Sequence, residues 1–467
     1  MFFSFPRAVL RHGFVAALLA ASLASGAYAN APFTIETADP GPAFLGLYTS
    51  IALDSQGNVH VSYYDDDNGN LKYASRSSTG IWTREVPDNS TNQVGLFTSL
   101  AIDASDNPHI AYYDGTNGGL WYAKKSSGTW SKQLVDGSAD VGYDTSIRID
   151  ALGNPCISYY DATDGDLKYA RKVSGTWNVE VADGSADDVG QYTSLAFDAQ
   201  GNPCISYYDA TTGQLLYARK SSGTWSSEVV DPSTDNRGRF TSLRFDAQGR
   251  PSISYYDATN QDLLFARKSG GTWAVETVDG SLNDVGRESG LALDAGGGPH
   301  ISYYDNTNGH WLYAHKVSGN WQTMVVDDGV NNRGGFGSII MDASGKPRMT
   351  CFDGTSATLL YAEGPSETPT AVPVTVFPVT ALRMYPNPAR GAVQIRLAAA
   401  GPGAARAVDI VDAEGRRVRR LALDATGSAL WDTRDERGHL TAAGVHFVRP
   451  VGIDGAGSTA ARLVIVR

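Results

Sequence analysis

The tripeptide Tyr-Tyr-Asp recurs at Tyr63-Tyr64-Asp65, Tyr112-Tyr113-Asp114, Tyr159-Tyr160-Asp161, Tyr207-Tyr208-Asp209, Tyr255-Tyr256-Asp257 and Tyr303-Tyr304-Asp305. Cys351-Phe352-Asp353 is a degenerate seventh copy, and successive copies lie 47 to 49 residues apart. A period of this length marks propellers or solenoids, built from one supersecondary unit per repeat. In the clearest unit, four β-rich runs alternate with turn residues: Thr193 to Asp198, Cys204 to Asp209, Leu215 to Lys220 and Trp225 to Val230. With no helical periodicity, the unit reads as a four-stranded antiparallel meander, strands a to d. A single such sheet cannot bury both faces, whereas seven around an axis can, and adjacent tyrosines on strand b then face two covered surfaces.

The chain ends argue for a closed ring. The seventh repeat stops after its third strand, Leu359-Leu360-Tyr361-Ala362. Phe33 to Asp39 matches the fourth-strand run Trp82 to Asp88, and Phe33 precedes Thr49 by the sixteen residues that separate Trp82 from Thr98. The N-terminal segment is therefore expected to complete the last blade, a permutation that removes open edges and has no use in an unclosed stack. The expected fold class is all-β, with a seven-bladed β-propeller closed by an N-terminal strand.

Arg7 and Arg11 precede an apolar run from Phe14 to Ala24, and Ala27-Tyr28-Ala29 supplies small residues for cleavage. This reads as a secretory signal, residues 1–29, too short for the ~20 residues of a membrane span. Propeller, linker and C-terminal domain are expected at 30–363, 364–381 (rich in Pro and Thr) and 382–467. The formal charge is −12. Thirteen Arg against eight acids make residues 382–467 basic, so the propeller carries the acidic excess. An acidic body argues against nucleic acid or anionic lipid as the main partner. Cys156, Cys204 and Cys351 are an odd set; the first two share one repeat position and read as small buried hydrophobes.

Meander topology puts the b–c and d–a loops on one side of the ring. That side gathers Asp, while the other carries basic pairs such as Lys124-Lys125 and Arg219-Lys220, so an acidic face opposite a basic rim is expected. The Asp-rich corners resemble calcium loops, but Gly69 is fifth after Asp65 where an EF-hand needs it sixth, and Arg76 stands twelfth where an acid is required. Asp at a hairpin corner bonds nearby backbone N–H groups, which is the preferred reading. Gly46, Gly95, Gly142, Gly190, Gly238, Gly286 and Gly334 call for a positive φ or a close approach to the next blade. Trp82, Trp130, Trp177, Trp225, Trp273 and Trp321 read as core anchors, with stacking on sugar rings as the functional alternative.

The turn Ser222-Gly223-Thr224-Trp225 resembles the Asp-box turn of sialidase-type propellers. Lys220 stands in the region where that motif has Asp, and Gly to Trp is one residue short, so the resemblance implies a related, degenerate blade and not sialidase catalysis. In the C-terminal region Tyr385-Pro386-Asn387-Pro388, Val408-Asp409-Ile410-Val411-Asp412, Trp431-Asp432-Thr433-Arg434-Asp435 and Ala443-Gly444-Val445-His446-Phe447 resemble the Ig-like domain of the flagellar hook-capping family. That domain type is similar to the C-terminal sorting domains of type IX secreted bacterial proteins. The resemblance implies a C-terminal Ig-like β-sandwich and export to, or attachment at, a bacterial cell surface, with secretion or surface-anchoring machinery as partner.

A ligand rarely shares sevenfold symmetry, so a site should appear as departures from the repeat. Just before strand a, Tyr48, Phe97, Tyr192, Phe240 and Phe336 hold an aromatic position that Asp144 and Glu288 take in the third and sixth repeats. Further along the same strand, Arg148 and Arg244 replace Ala or Ile, and Arg237, Arg239, Arg287 and Arg333 lie in the loops entering blades five to seven. Asp144, Arg148, Arg244, Arg287 and Glu288 are the candidate ligand-binding residues, expected in one cleft at the channel mouth that would hold a carboxylate or a polar glycan. The competing expectation is local pairing: Arg148 with Asp144 or Asp150, and Arg244 with Asp246. Asp144 and Glu288 as a catalytic acid and base would need glycosidase spacing. No catalytic, metal or cofactor motif stands out. The leading reading is an exported binding or adhesion propeller for a glycan or surface polymer. A glycan-active hydrolase or lyase and a structural surface component are the alternatives.

Overall fold

The computed structural model describes residues 33–365 apart from 43 and 328–331, together with 382–385, 389, 391–397, 407–412, 416–424, 428–451 and 461–465. The expected signal segment, most of the linker and Pro386-Asn387-Pro388 lie outside these residues. Two compact units form, one holding the strands from Thr34 to Glu363 and the other those from Leu382 to Ile465.

The first unit contains seven four-stranded antiparallel sheets. In blade four the strands are Val189–Phe197, Pro203–Asp209, Gln214–Ser221 and Thr224–Val229, paired in that order. The last sheet consists of Arg333–Met341, Pro347–Asp353 and Thr358–Glu363, with Thr34–Asp39 antiparallel to Thr358–Glu363. Thr34 lies opposite Glu363 and Glu36 opposite Tyr361. The N-terminal strand closes the seventh blade as expected.

Apolar residues meet in seven clusters, each shared by two neighbouring blades; the one across the closure joins Leu359 and Tyr361 to Ile51, Val61 and Tyr63. The tyrosine pair extends this sharing. Neighbouring residues on a strand face opposite ways, so the two hydroxyls reach in opposite directions. In blade four Tyr207 donates backward to Asp183 of the preceding blade, 2.5 Å away, and Tyr208 donates forward to Asn236 at 2.8 Å. The first tyrosine makes its backward bond in six blades. Blade seven, with Cys351 and Phe352, is held instead by Arg333, paired with Asp327 and Asp353. The third residue of the motif caps its own corner: Asp209 accepts the N–H groups of Thr211 and Thr212. Nearer the axis, a serine of each inner strand accepts the N–H of a residue in the next blade at six of the seven seams.

Strand a begins four residues earlier than the sequence reading placed it, at Val189 instead of Thr193. The extension contains a β-bulge: Gln191 pairs with Tyr208 and Ser194 with Ser206, leaving one extra residue on the inner strand. Gly190 opens it with φ of 109°. A Cβ there would also come within 2.8 Å of the Leu167 Cα, so both reasons proposed for this glycine apply.

The second unit has two sheets, one of Leu382–Tyr385, Val393–Leu397 and Ser428–Trp431, the other of Arg417–Ala422, Ala407–Val411, Gly444–Val451 and Ala461–Ile465. Val393, Ile395, Val408, Ile410, Trp431, Val448 and Leu463 form its core, as in a β-sandwich. Trp431 is fully buried and donates its indole N–H to the Arg434 carbonyl, 2.9 Å away. His446 packs edge-on against it, filling an aromatic role.

Candidate functional site: an aromatic collar broken by two carboxylates

The bulge has a consequence at the axis. Its extra residue takes a left-handed backbone in every blade: Tyr48, Phe97, Asp144, Tyr192, Phe240, Glu288 and Phe336 all have φ between 50 and 55°. Bulky residues adopt this region at a cost, and seven repetitions show that the scaffold imposes it. A bulge re-aims a side chain. Here the seven side chains line one cavity of about 250 Å³, together with Thr49, Thr98, Thr145, Thr193, Thr241, Ser289 and Gly337. Neighbouring rings touch: Tyr48 lies 4.6 Å from Phe97 and 4.9 Å from Phe336, and Tyr192 lies 4.6 Å from Phe240 between centroids. Asp144 and Glu288 interrupt this collar, dividing it into arcs of three and two rings.

Each carboxylate caps the backbone of the following blade. Asp144 Oδ2 accepts the Tyr192 N–H at 2.8 Å, and Glu288 Oε2 accepts the Phe336 N–H. Burial pushes Asp144 up to about 6, against the counter-effect of that hydrogen bond. Glu288 rises to about 7, again through burial, with the Phe336 N–H and the Arg287 charge pulling the other way. Each has a second carboxylate oxygen outside that cap, a further acceptor on a side chain that lines the cavity.

The candidate residues do not gather in one cleft. Asp144 and Glu288 lie at the start of the inner strands, on the side of the d–a loops. Arg148 and Arg244 come four residues after the bulge positions, about 13 Å further along at the usual strand rise, toward the a–b turns. Neither arginine follows the local-pairing expectation. Asp150 is taken by Asn154 and Arg171, and Asp246 by Arg250. Arg148 and Arg244 donate to the carbonyls of Ile147 and Leu243, and among the described residues neither forms an ion pair. Burial lowers Arg148 to about 10; burial and then the Arg148 charge lower Arg244 to about 9. The two guanidiniums therefore sense each other near the axis, both charged at neutral pH.

Arg287 is held by Asp284 at 2.7 Å and lies over the Tyr256 ring, and Arg237 is held by Asp231, Asp235 and Asp257. Most of the expected basic rim is neutralised: Arg171 and Arg219 pair with Asp150 and Asp198, and Lys125 and Lys220 with Glu85 and Glu180 of the preceding blade, whereas Lys172 and Arg267 have no ion pair among the described residues. Sequence reading missed the two glutamates because they lie forty residues away, on another blade. Cys156, Cys204 and Cys351 are buried thiols, and burial pushes the first two up to about 11.

No protein-family model matches the chain, and no curated protein matches it. Similar solved structures include an ulvan lyase from a polysaccharide lyase family, 14% identical over 72% of this chain and 94% of that one, with a TM-score of 0.49. The fucose-specific lectin from Aleuria aurantia is 15% identical over 61% of this chain and 97% of that one, TM-score 0.41. An intramolecular trans-sialidase from Ruminococcus gnavus is 11% identical over 68% and 94%, TM-score 0.38. The propeller assignment rests on this chain's own sheets and seams.

Proposed function

We propose that this is an exported binding propeller that seats a sugar unit of a glycan or surface polymer on the collar, without catalysis. The observation that carries the reading is the alternation of aromatic rings with two carboxylates around one open cavity. Ring faces pack against the apolar C–H surface of a sugar, and carboxylates accept its hydroxyl protons; few other ligands need both. The volume of about 250 Å³ is below the range of drug-sized pockets, which suits one terminal unit better than an internal stretch of polymer. Arg148 and Arg244 offer positive charge at the other end of the channel, where an acidic substituent would be drawn. The C-terminal sandwich, through its resemblance to hook-capping and type IX sorting domains, would serve export and surface attachment.

One observation favours a second reading, a glycan-active hydrolase: Glu288 is lifted to about 7, as a general acid requires. Spacing counts against it. A regular seven-membered collar with edges of 4.6 to 4.9 Å measures about 10–11 Å between positions three steps apart, beyond the ~5–9.5 Å of paired glycosidase carboxylates. A glycan array with the wild type, Tyr48→Ala and the Arg148→Ala/Arg244→Ala variant tests the reading, run beside a reducing-end release assay on every bound glycan. Binding lost in Tyr48→Ala with no release supports it; release abolished by Glu288→Gln would replace it with the hydrolase.

A further inference from the structure

Five seams of the propeller repeat one outer contact of three residues. A glutamate on strand d of one blade accepts both a cation from strand c and the indole N–H from strand d of the next. Glu85 takes Lys125 at 2.5 Å and Trp130 at 2.7 Å, and Glu180 takes Lys220 at 2.5 Å and Trp225 at 3.2 Å. Glu228 takes Lys268 and Trp273, Glu276 takes Lys316 and Trp321, and Glu36 takes Arg76 and Trp82. At the seam between blades six and seven all three members change together, to Met324, Gly364 and Phe33, so no polar group is left over.

The seam between blades two and three changes only the acid. Gln133 stands where the other seams have glutamate, while Lys172 and Trp177 remain. The Trp177 indole nitrogen is buried with no hydrogen-bond partner. Lys172 lies over the Tyr122 and Trp177 rings, 4.9 and 5.7 Å from their centroids, and among the described residues it has no ion pair. Burial and the Lys124 charge lower its pKa. An indole N–H can only donate, and so can an ammonium group. Two donors thus converge where five other seams supply a carboxylate. Gln133 is only partly buried on the outermost strand, and no hydrogen bond ties its amide to either donor.

We propose that this seam binds a carboxylate from outside the chain, one oxygen on Lys172 Nζ and the other on the Trp177 indole N–H once the side chains over that buried nitrogen move aside, and that a uronic-acid sugar supplies it. The carboxylate follows from the contact pattern alone; the choice of a sugar rests on the function proposed above. The full chain, labelled with ¹⁵N at its nine tryptophans, is titrated with glucuronate and with glucose while the indole N–H signals are followed by NMR. Trp177→Phe assigns the Trp177 signal. The expected result is a saturable shift of that signal with glucuronate and none with glucose. Gln133→Glu should supply the missing acid, move the signal without ligand and weaken the titration at least tenfold. Glu180→Gln should give Trp225 a new titration of the same kind. No saturable shift, an equal shift with glucose, or a titration untouched by Gln133→Glu would overturn the proposal. The readout is local to the outer seam, so its failure leaves the collar reading standing, and failure of the glycan array leaves this titration intact.

Discussion

Along the inner wall, departures from the repeat bring charge to the axis: Asp144 and Glu288 replace rings, and Arg148 and Arg244 replace small apolar residues. Along the outer wall most charges are paired across or within the seams, and among the described residues Gln133 leaves one three-residue contact incomplete. The difference follows from what each wall must do. Outer contacts join strands c and d of neighbouring blades through side chains. The inner bulge fixes the backbone in all seven blades, whether the residue it presents is aromatic or acidic.

The largest effect should come from breaking what both walls share, the ring. Deleting residues 34–39 uncovers the Thr358–Glu363 edge and strips Tyr63 of its Asp39 partner. Calorimetry should show the propeller transition lost or lowered by roughly 10 °C or more; an unchanged transition would mean that the seventh blade closes without it. Next, Tyr48→Ala and Tyr207→Phe should separate function from scaffold. The first should weaken glycan binding by tenfold or more with little change in melting. The second takes the Tyr207 hydrogen bond from the Asp183 carboxylate, which keeps those of Ser227 and Ser185; it should cost about 0.5–1.5 kcal/mol of stability and leave binding intact. Urea denaturation and a binding titration on both variants check this pair.

A smaller effect concerns pH. Asp144 and Glu288 rise from 3.8 and 4.5 to about 6 and about 7, so the folded chain keeps protons that the unfolded chain has released. Their contribution to stability is greatest below the lower values and falls as pH rises through the higher ones, by a few kcal/mol at most. His60 and His109, held below their ordinary value by burial, act in the opposite sense. Wild type minus Glu288→Gln isolates the effect: that difference should shrink or change sign between pH 4.5 and 7.5 in urea titrations. A pH-independent difference would mean that the collar carboxylates are solvated. The smallest effect is expected from Glu180→Gln, which reproduces the blade two–three contact elsewhere on the outer wall and should cost about 1 kcal/mol or less.

The propeller was legible because its signals are local or periodic: the Tyr-Tyr-Asp spacing, the missing last strand and the match of Phe33 to the tryptophan position. The collar was partly legible, since Asp144 and Glu288 break a column of aromatic residues. The sequence also placed Arg148 and Arg244 further along the same strand; that the column sits on a bulge, and that the cavity it lines stops short of the arginines, depends on register and strand rise, which composition does not reveal. The outer contacts were hidden for another reason, because each joins residues from two blades. Reading the residue three after each of the six strand-d tryptophans, where only Gln133 and Met324 depart from Glu, would have exposed them.

The antiparallel closure sets how the ring answers to force. Thr34 and Glu363 sit side by side, so the chain enters and leaves the propeller at the same end of one strand pair. Tension applied between these two points would part the hydrogen bonds in succession, like a zipper, instead of loading them together in shear. Tension applied at Glu363 alone would load Thr358–Glu363 first, leaving Thr34–Asp39 to follow as the last blade peels.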